Sequence, residues 1–477
     1  MFCSELLMSR LNLYTWMIGK LMYTKILTLY FICAVTIGSL VSANEKSTLA
    51  GAMVSAYSTS GLLDQNRAVL RAADEDVATA ASSLAPVISW ASTVSHNDRN
   101  LTNSFDTSGT VSLLADFTLY DGGRRSLGLE AAKYAVFATR ASLVNIEQNI
   151  LFEAVKAYLA IVRESENVSL RKGNLSVISE ELRAANDRFE VGEITKTDVA
   201  LAEARLAASN STLAFATGTY EQALANYRAA VGEEPQGSLE YPTTVPKVPD
   251  SLQKAIAIAL EEHPSITELK HLVKVTEINS KIADLSTGIT VSLGSSVSLD
   301  EEGDSSGELS IRASGPIFSG GKLYSSSRKT IALNEQTLAR LYSAKISIEQ
   351  NVSSAFSLLQ VAKAAKQSAE EQIRATEVAL KGVKEEAGLG ARTTLDVLNA
   401  EQELLDARVQ LISATVDEHL SVYRLLLQMG RLNVDYLNLP VQKYDVQKYY
   451  ELVKGSPASK SQNGRTLDKL LRQLNKD

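Results

Sequence analysis

Apolar and small residues recur at alternating steps of three and four along two stretches, about Arg125 to Arg188 and about Lys322 to Glu386. This 3.5-residue period keeps one stripe of each helix against a neighbour and is typical of supercoiled helices. Neither stretch contains proline, and charged residues enter the stripe only at Glu164, Arg171 and Lys366. At 1.5 Å per residue, a helix of about 60 residues reaches about 90 Å. The pattern predicts two helices far longer than a globular core requires.

A sharp turn and a second helical stretch follow each long helix. Both turns contain a glycine, which suits the left-handed conformation that ends a helix, and a Thr-x-x-Asp motif, which matches the capping box that begins one. Return helices are predicted over about 197–231 and 394–429, so each copy is a helical hairpin with its tip at 189–199 or 386–397. The tip residues singled out are Val191, Gly192, Thr195 and Asp198 in the first hairpin, and Leu389, Gly390, Thr393 and Asp396 in the second.

Before each long helix the period changes to two, which is typical of strands. Apolar and polar residues alternate over Ile88–Val94 and Val111–Phe117, and again over Ile289–Leu299 and Leu309–Ala313, where the acidic loop Glu301–Gly307 joins the last two. Strands of about 10–12 residues with one apolar face match those that cross an outer membrane at a tilt. Two glycines follow each strand pair and are predicted to form strand-to-helix turns: Gly122 and Gly123, then Gly320 and Gly321.

The predicted strands are too few to close a barrel, and unpaired sheet edges do not persist in hydrocarbon. If they lie in a membrane, the chain must contribute part of a barrel. Three copies would supply about 12 strands, which is within the range of known outer-membrane barrels. A homotrimer in contact with outer-membrane lipid is therefore predicted. The alternative is a pair of soluble hairpins packed on a small core.

The two halves of the chain match at a constant offset of 198 residues, so that Gly122 corresponds to Gly320 and Gly192 to Gly390. An internal two-fold repeat without insertions indicates two copies of one structural unit, each with a helix, two strands and a long helical hairpin. The predicted segments are a first repeat at 44–232, a proline-containing linker at 233–264, a second repeat at 265–430, and a C-terminal segment ending in a loose tail at 431–477.

Residues 1–43 have the pattern of a secretory signal peptide. Lys25 precedes an apolar run, Ile26 to Leu40, that ends in the small-residue sequence Val41-Ser42-Ala43. Two alternatives stay open: a true start at Met22, and a membrane anchor over 26–43. Both cysteines, Cys3 and Cys33, precede the predicted cleavage site, and Cys33 lacks the preceding small residues that a lipoprotein site needs. The mature protein is expected to have no cysteine and no lipid anchor.

Composition and motifs argue against several other classes of protein. A formal net charge of −7 does not favour nucleic-acid binding. No other apolar run approaches the roughly 20 residues of a membrane-spanning helix, which argues against a helical inner-membrane transporter. The Gly-Gly turns lack the Gly-x-x-x-x-Gly-Lys frame of a phosphate loop. The histidines form no metal-ligand pair at helical spacing: His96, His263, His271 and His419. We therefore predict no enzymatic activity, no catalytic residues, no metal and no cofactor.

Taken together, the two-fold repeat, the aromatic-x-Gly-Gly strand exits and the V-G-x-x-T-x-x-D-V tip at 191–199, with its partner at 389–397, resemble the TolC-like outer-membrane efflux and secretion channels. The resemblance covers about residues 50–440. It implies a mainly α protein with a share of a β-barrel: a homotrimer whose 12-strand outer-membrane barrel continues into a long periplasmic α-helical barrel. An equatorial belt would form from about 232–264 and 431–450. The hairpin tips would contact the periplasmic adaptor of an inner-membrane pump.

The same resemblance implies a periplasmic gate beside the second tip. Arg392 and Asp396 match two gate positions of the family. The family also has an aspartate and a tyrosine where this chain has Asn399 and Ala387, so the aperture is expected to be less acidic and less tightly latched. Asp396 has a second interpretation, because capping alone explains an acid at that position. Arg392 has no capping role and is the better gate candidate.

These observations predict a passive exit duct of a tripartite export system, located in the outer membrane of a Gram-negative cell and reaching into the periplasm. The cargo stays open between a secreted protein, as in type I secretion, and small toxic molecules, as in efflux. The expected absence of a lipid anchor favours the secretion branch. The alternative is a structural or adhesive trimeric coiled coil on the cell surface, which predicts a fibre without helical hairpins.

Overall fold

The computed structural model describes residues 48–98, 105–242, 245–456 and 461–474. The predicted signal peptide therefore lies outside the described residues. The helices are α1 (Leu49–Thr59), α2 (Gly61–Ser82), α3 (Arg124–Glu190), α4 (Lys196–Val231), α5 (Leu252–Glu262), α6 (Pro264–Leu285), α7 (Lys322–Gly388), α8 (Thr394–Gln428), α9 (Val446–Val453) and α10 (Gln462–Leu474). The strands are β1 (Val87–Asp98), β2 (Phe105–Tyr120), β3 (Thr290–Asp300) and β4 (Ser305–Ser314).

The predicted long helices are confirmed. Helices α3 and α7 have 67 residues each, which corresponds to a length of about 100 Å. Each turns back into its return helix, α4 or α8, to form a hairpin. A coiled-coil fibre without hairpins is therefore the wrong architecture. In the described part of the chain, no helix combines the length and apolar character needed to cross a membrane.

The hairpins pack along the predicted apolar stripes. In α7, Ile348, Val352 and Leu359 are buried, and in α3 the corresponding Ile150, Ala154 and Ile161 are buried. Two of the three charged residues that interrupt the stripes, Lys366 and Glu164, have partners across their hairpins. Lys366 forms an ion pair with Glu418 of α8 at 2.9 Å, and Glu164 accepts a hydrogen bond from Thr219 of α4 at 3.2 Å. Because their partners lie on the return helix, these groups are accommodated within the seam.

The strands form one antiparallel sheet in the order β1-β2-β3-β4. Strand β2 has 16 residues, more than predicted, because β1 pairs with 105–116 and β3 with 110–120. Trp90, Leu113 and Val297 lie side by side in one cross-strand row, and between 56% and 76% of each is exposed in the single chain. One face of the sheet is thus apolar and uncovered, and β1 and β4 are open edges.

The main core lies where the middle of α3 meets α1, α2, the ends of α4 and α8, and the two belt segments, 232–264 and 431–450. The first belt segment, which the sequence analysis gives both as a linker and as part of the equatorial belt, packs on α3. Tyr158 donates a hydrogen bond to the Glu240 carbonyl at 2.9 Å, and Tyr241 donates one to Glu166 at 3.0 Å. In the second segment, the Val434 amide donates to Glu147 at 2.8 Å. Both segments are therefore built into the core.

The C-terminal segment differs from the loose tail predicted for it. Residues 446–453 and 462–474 are helical, and in α9 both Tyr449 and Val453 are buried against Ala78 of α2. The Tyr449 hydroxyl donates a hydrogen bond to Glu75 at 2.7 Å. The polar composition of the tail gave no indication of this contact, because a short amphipathic helix buries only the few apolar residues on one side.

Candidate functional site at the hairpin tips

The tip of the first hairpin begins with a Schellman turn. Gly192 has φ +79°, and the amides of Gly192 and Glu193 donate to the carbonyls of Phe189 and Arg188 at 3.0 and 2.9 Å. These bonds satisfy carbonyls left unpaired at the end of α3. An added Cβ at Gly192 would meet nothing within 4 Å, so glycine is required here by its positive φ.

The second tip repeats this geometry. Gly390 has φ +77°, and the amides of Gly390 and Ala391 donate to the Ala387 and Glu386 carbonyls at 3.0 and 2.9 Å. Two apolar side chains project from the tips. Val191 is 72% exposed and Leu389 is 87% exposed. Val191 and Leu389 are therefore the most exposed large apolar residues of their tips, and each lies on a rigid turn.

The predicted capping boxes are present at both tips. The Thr195 amide and hydroxyl donate to one oxygen of Asp198 at 2.9 and 2.7 Å, and the Thr195 hydroxyl accepts from the Asp198 amide. Thr393 and Asp396 form the same box, with distances of 2.9 and 2.8 Å. Hydrogen bonds from the threonine hydroxyl and amide lower the pKa of the Asp198 carboxyl, and bonds from the amide and hydroxyl of Thr393 lower that of Asp396. Both carboxylates are therefore ionised at neutral pH.

Arg392 bends back toward the helix that precedes the tip. Its Nε lies 2.7 Å from a carboxylate oxygen of Glu386, and both side chains are about half-exposed. The positive charge of Arg392 also contributes to the low pKa of Asp396. The two gate candidates thus lie in one electrostatic group, together with a carboxylate that sequence reasoning did not single out.

A second charged group, close to the tips, joins the two hairpins of one chain. Lys384 of α7 forms an ion pair with Glu401 of α8 and lies 3.8 Å from Glu181 of α3. Arg205 of α4 donates a hydrogen bond to Asn399 of α8 at 3.1 Å. Sequence analysis missed these links. Glu401 has an equivalent at the same offset in the first half, Glu203, but no periodicity indicates which cation it meets.

Buried apolar side chains lie beneath these charges. Leu398 of α8 is 1% exposed and packs with Ile178, Ala185 and Ala202 of the first hairpin. The two hairpins are therefore held together near their tips by a small apolar contact, the Lys384–Glu181 ion pair and the Arg205–Asn399 hydrogen bond. Glu401 is buried and Lys384 is half-exposed, so the ion pair between them lies at the edge of the apolar contact.

The strand-to-helix turns lie at the opposite end of the long helices, about 100 Å away. Gly122, Gly123, Gly320 and Gly321 all have positive φ, between +61° and +87°. In the first turn, Asp121 accepts hydrogen bonds from the amides of Gly123 and Arg125 at 3.0 Å. Serine replaces this aspartate in the second turn. The turns thus position the sheet and do not belong to the site at the tips.

The histidines lie on separate elements. His263 caps α6 and is buried, His271 packs against Phe137, and His419 stacks on Tyr241. His96 lies on β1 and contacts Thr107. Among the described residues, no group of three or more histidine, cysteine or acidic side chains has the arrangement of a metal site.

A sequence model of the family described as outer membrane efflux protein matches residues 54–233 and 255–431. The chain is 34% identical, over 85% of its length and 90% of the relative, to the outer membrane efflux protein BepC of Brucella suis biovar 1. It is 28% identical, over 61% of its length and 63% of the relative, to the alkaline protease secretion protein AprF of Pseudomonas aeruginosa.

Solved structures share the fold. CusC superposes with a TM-score of 0.74 at 17% identity, covering 80% of this chain and 92% of CusC. The outer membrane protein VceC of Vibrio cholerae superposes with a TM-score of 0.72 at 19% identity, covering 80% of this chain and 96% of VceC. At these identities the likeness concerns the fold alone.

Proposed function

The chain belongs to the outer membrane efflux protein family, and we propose that it is the passive exit duct of a tripartite export system. It is a TolC-like channel of the outer membrane, as the sequence resemblance predicted, and its named relatives are efflux and secretion proteins. The finer proposal concerns how the chain assembles, what docks on it and what passes through it. As a passive duct, the chain would depend on a partner for the energy of transport.

The observation that carries the proposal is the open sheet at one end of the 100 Å hairpins. Its edge strands β1 and β4 have free hydrogen-bonding groups, and its apolar face includes Trp90, Val94, Leu309 and Ile311, each at least 70% exposed in the single chain. Lipid would cover that face, and the neighbouring copies would cover the edges. Three copies then form a barrel of about 12 strands, with the two halves of each chain as an internal repeat.

The helical hairpins would form the periplasmic continuation of this barrel. The tips would contact the periplasmic adaptor of an inner-membrane pump through Val191 and Leu389, because exposed apolar residues on rigid turns are suited to a partner. The capping residues Thr195, Asp198 and Thr393, with Gly192 and Gly390, hold those turns in shape: they form the motifs described above.

Arg392 and Asp396 remain the proposed gate. In a trimer each becomes a ring of three, and rings of charge at a constriction set both its width and its ion selectivity. The structure adds Glu386 as the partner of Arg392. Asp396 has its capping role in either case, so the gate hypothesis depends on Arg392.

Replacing Arg392 with serine is expected to raise the single-channel conductance in planar bilayers, because the substitution removes both the ion pair with Glu386 and the ring of guanidinium groups. Arg374→Ser is the matched control, since Arg374 is exposed on the same helix α7 away from the tip. Equal conductance of R392S and R374S would remove Arg392 from the gate.

The expected lack of a lipid anchor favours secretion, but similarity favours efflux of a small toxic molecule, because identity and coverage are higher for the efflux relative than for the secretion relative. Protein secretion is the second candidate. A strain lacking this chain is expected to become several-fold more sensitive to dyes and detergents and to recover when the gene is returned. Loss of one or a few proteins from the culture supernatant would indicate secretion. A strain unchanged in both tests would contradict the proposed duct.

A further inference from the structure

A cavity of about 440 Å³ lies where α2, the second belt segment, α9 and α10 meet. Its described lining includes the cations Arg67, Arg71, Lys443 and Lys448, and the carboxylate of Asp445. We call it the basic pocket. The lining has a formal charge of +3, four cations less one carboxylate, on a chain whose formal net charge is −7. Arg67 and Lys443 have carboxylate partners just outside the lining, so the excess positive charge is carried mainly by Arg71 and Lys448.

Arg67 is held in place before any ligand arrives. Its guanidinium carbon lies 5.2 Å from the centre of the Tyr57 ring and 5.3 Å from that of Tyr444. Its Nη1 donates to Asp64 at 2.8 Å. Cation–π contacts on two rings orient the group, so little side-chain freedom is lost when an anion binds.

The positive charges of the basic pocket are only partly compensated. Arg67 pairs with Asp64 and Lys443 pairs with Asp435. Across the described ranges, neither Arg71 nor Lys448 has an ion pair among the salt bridges of the chain, although Arg71 is half-buried. A partly buried cation without a carboxylate is unfavourable, because it loses water without gaining an opposite charge.

We propose that the basic pocket binds a small anion that carries two or more phosphate or carboxylate groups. Arg71 and Lys448, neither of which has an ion pair among the described residues, together offer two positive charges to one ligand. Arginine matches the planar, bidentate geometry of carboxylate and phosphate, and Lys448 adds a mobile charge at the rim. The cavity volume lies within the range of small-molecule sites, which is about 300–1,000 Å³.

The position of the pocket along α2 favours a solute over a lipid headgroup. Arg67 lies 15 residues before the end of α2 at Ser82, or about 22 Å along the helix, and the sheet begins only at Val87. Salt screens charges beyond about 8 Å at physiological ionic strength. The periplasmic location of the pocket rests on the proposed function, whereas anion binding rests on the pocket alone.

The test uses the purified full chain in detergent and isothermal titration with two probes, citrate and inorganic pyrophosphate. Saturable binding of at least one probe, at one site per chain, is expected. Arg71→Gln with Lys448→Gln should weaken it about tenfold or more, because two charge-assisted contacts are lost. Lys448→Gln alone changes only an exposed side chain and should weaken binding several-fold without affecting the fold.

The matched control is Arg374→Gln with Lys363→Gln, which removes the same two charges from exposed positions of α7. It should leave the affinity unchanged. Preference for citrate would indicate a ligand with several carboxylates, and preference for pyrophosphate one with several phosphates. Equal weakening in both double variants, or no saturable binding of either probe, would overturn the proposal. Channel conductance is measured on the same samples, so failure of the pocket is distinguishable from failure of the duct.

Discussion

Replacing Gly430 with alanine is expected to destabilise the folded chain by about 2–5 kcal/mol, the sum of a left-handed backbone penalty and overpacking. Gly430 has φ +75° at the end of α8. An added Cβ would lie 2.7 Å from the His263 Cα and 2.8 Å from the Pro264 Cδ, atoms of the backbone and a proline ring that cannot rotate away. Either α8 or the start of α6 must move.

The surroundings of Gly430 increase the effect. Its carbonyl accepts a hydrogen bond at 2.6 Å from the amide of Gln148, a fully buried residue of α3. Movement of this turn would leave that amide without its acceptor, and an unpaired buried polar group costs about 1–3 kcal/mol. Three elements therefore depend on one glycine: α3, α6 and α8.

The measurement is the thermal midpoint of the purified protein, followed by circular dichroism at 222 nm at a fixed heating rate. Gly237→Ala is the control, because Gly237 has φ +80° and nothing within 4 Å of an added Cβ. It reports the backbone penalty alone, about 1–2 kcal/mol. The midpoint of G430A should fall clearly below that of G237A. Equal midpoints would mean that the close packing of Gly430 is unimportant.

Replacing Asp74 with asparagine is expected to change how stability depends on pH. Asp74 of α2 is 1% exposed, and in the described part of the chain neither of its carboxylate oxygens has a hydrogen-bond partner. Burial raises the pKa of this carboxyl from 3.8 to about 6, against the opposing charge of Arg140 and with a further increase from Glu75. Ionisation of this buried carboxyl therefore destabilises the folded state.

The direction in which stability changes with pH follows from proton binding in the folded and unfolded states. Between pH 3.8 and about 6 the folded state holds this proton more tightly than the unfolded state does, so wild-type stability falls as the pH rises. Below pH 3.8 the carboxyl is protonated in both states and its ionisation costs no stability. Above about pH 6 the full cost of ionising it in the folded state applies, at about 3 kcal/mol. The asparagine side chain does not ionise in this pH range, so it makes no such contribution. The stability of D74N relative to the wild type should therefore increase across this range and then level off.

Thermal midpoints of both proteins at about pH 4.5 and pH 7.5 test this expectation, since the interval brackets the shifted pKa. Any fixed cost of burying the amide cancels when the two pH values are compared. Asp76→Asn is the control, because Asp76 is exposed two residues further along α2. A difference between D74N and wild type that stays constant with pH would contradict an unpaired, buried carboxyl at position 74.

The sequence was a good guide wherever the determining interactions are local. The ends of α3 and α7 agree with the predicted helices within about two residues. They are set by residues of the adjacent turns, such as the glycine that follows each helix. Asp198 and Asp396 were recognised as capping residues for the same reason. The polar residues in the stripes, Lys366 among them, were recognised as interruptions, but their partners were not.

Predictions were incomplete wherever the partner is distant in the chain. Gln148 and Gly430 are 282 residues apart, and Tyr449 and Glu75 are 374 apart. Hydrophobic periodicity does not relate residues so far apart in the chain. The docking of the C-terminal helices and the contacts of the first belt segment with α3 were therefore not predicted. The ion pairs of Lys384 with Glu401 and Glu181 belong to the same class.

The sequence by itself determined the two hairpins, the strand segments, the turns and the family, because hydrophobic period and turn chemistry act over a few residues and recur in both halves. Only the tertiary structure decided that Asp74 is buried without a partner, that Gly430 abuts the start of α6, and that Arg67 and Lys448 line one pocket. These features depend on where the belt segments and C-terminal helices fold back onto α2 and α3. These segments are placed by burial of apolar surface between residues far apart in the chain. Because the hydrophobic effect is non-directional, such contacts leave no characteristic spacing in the sequence.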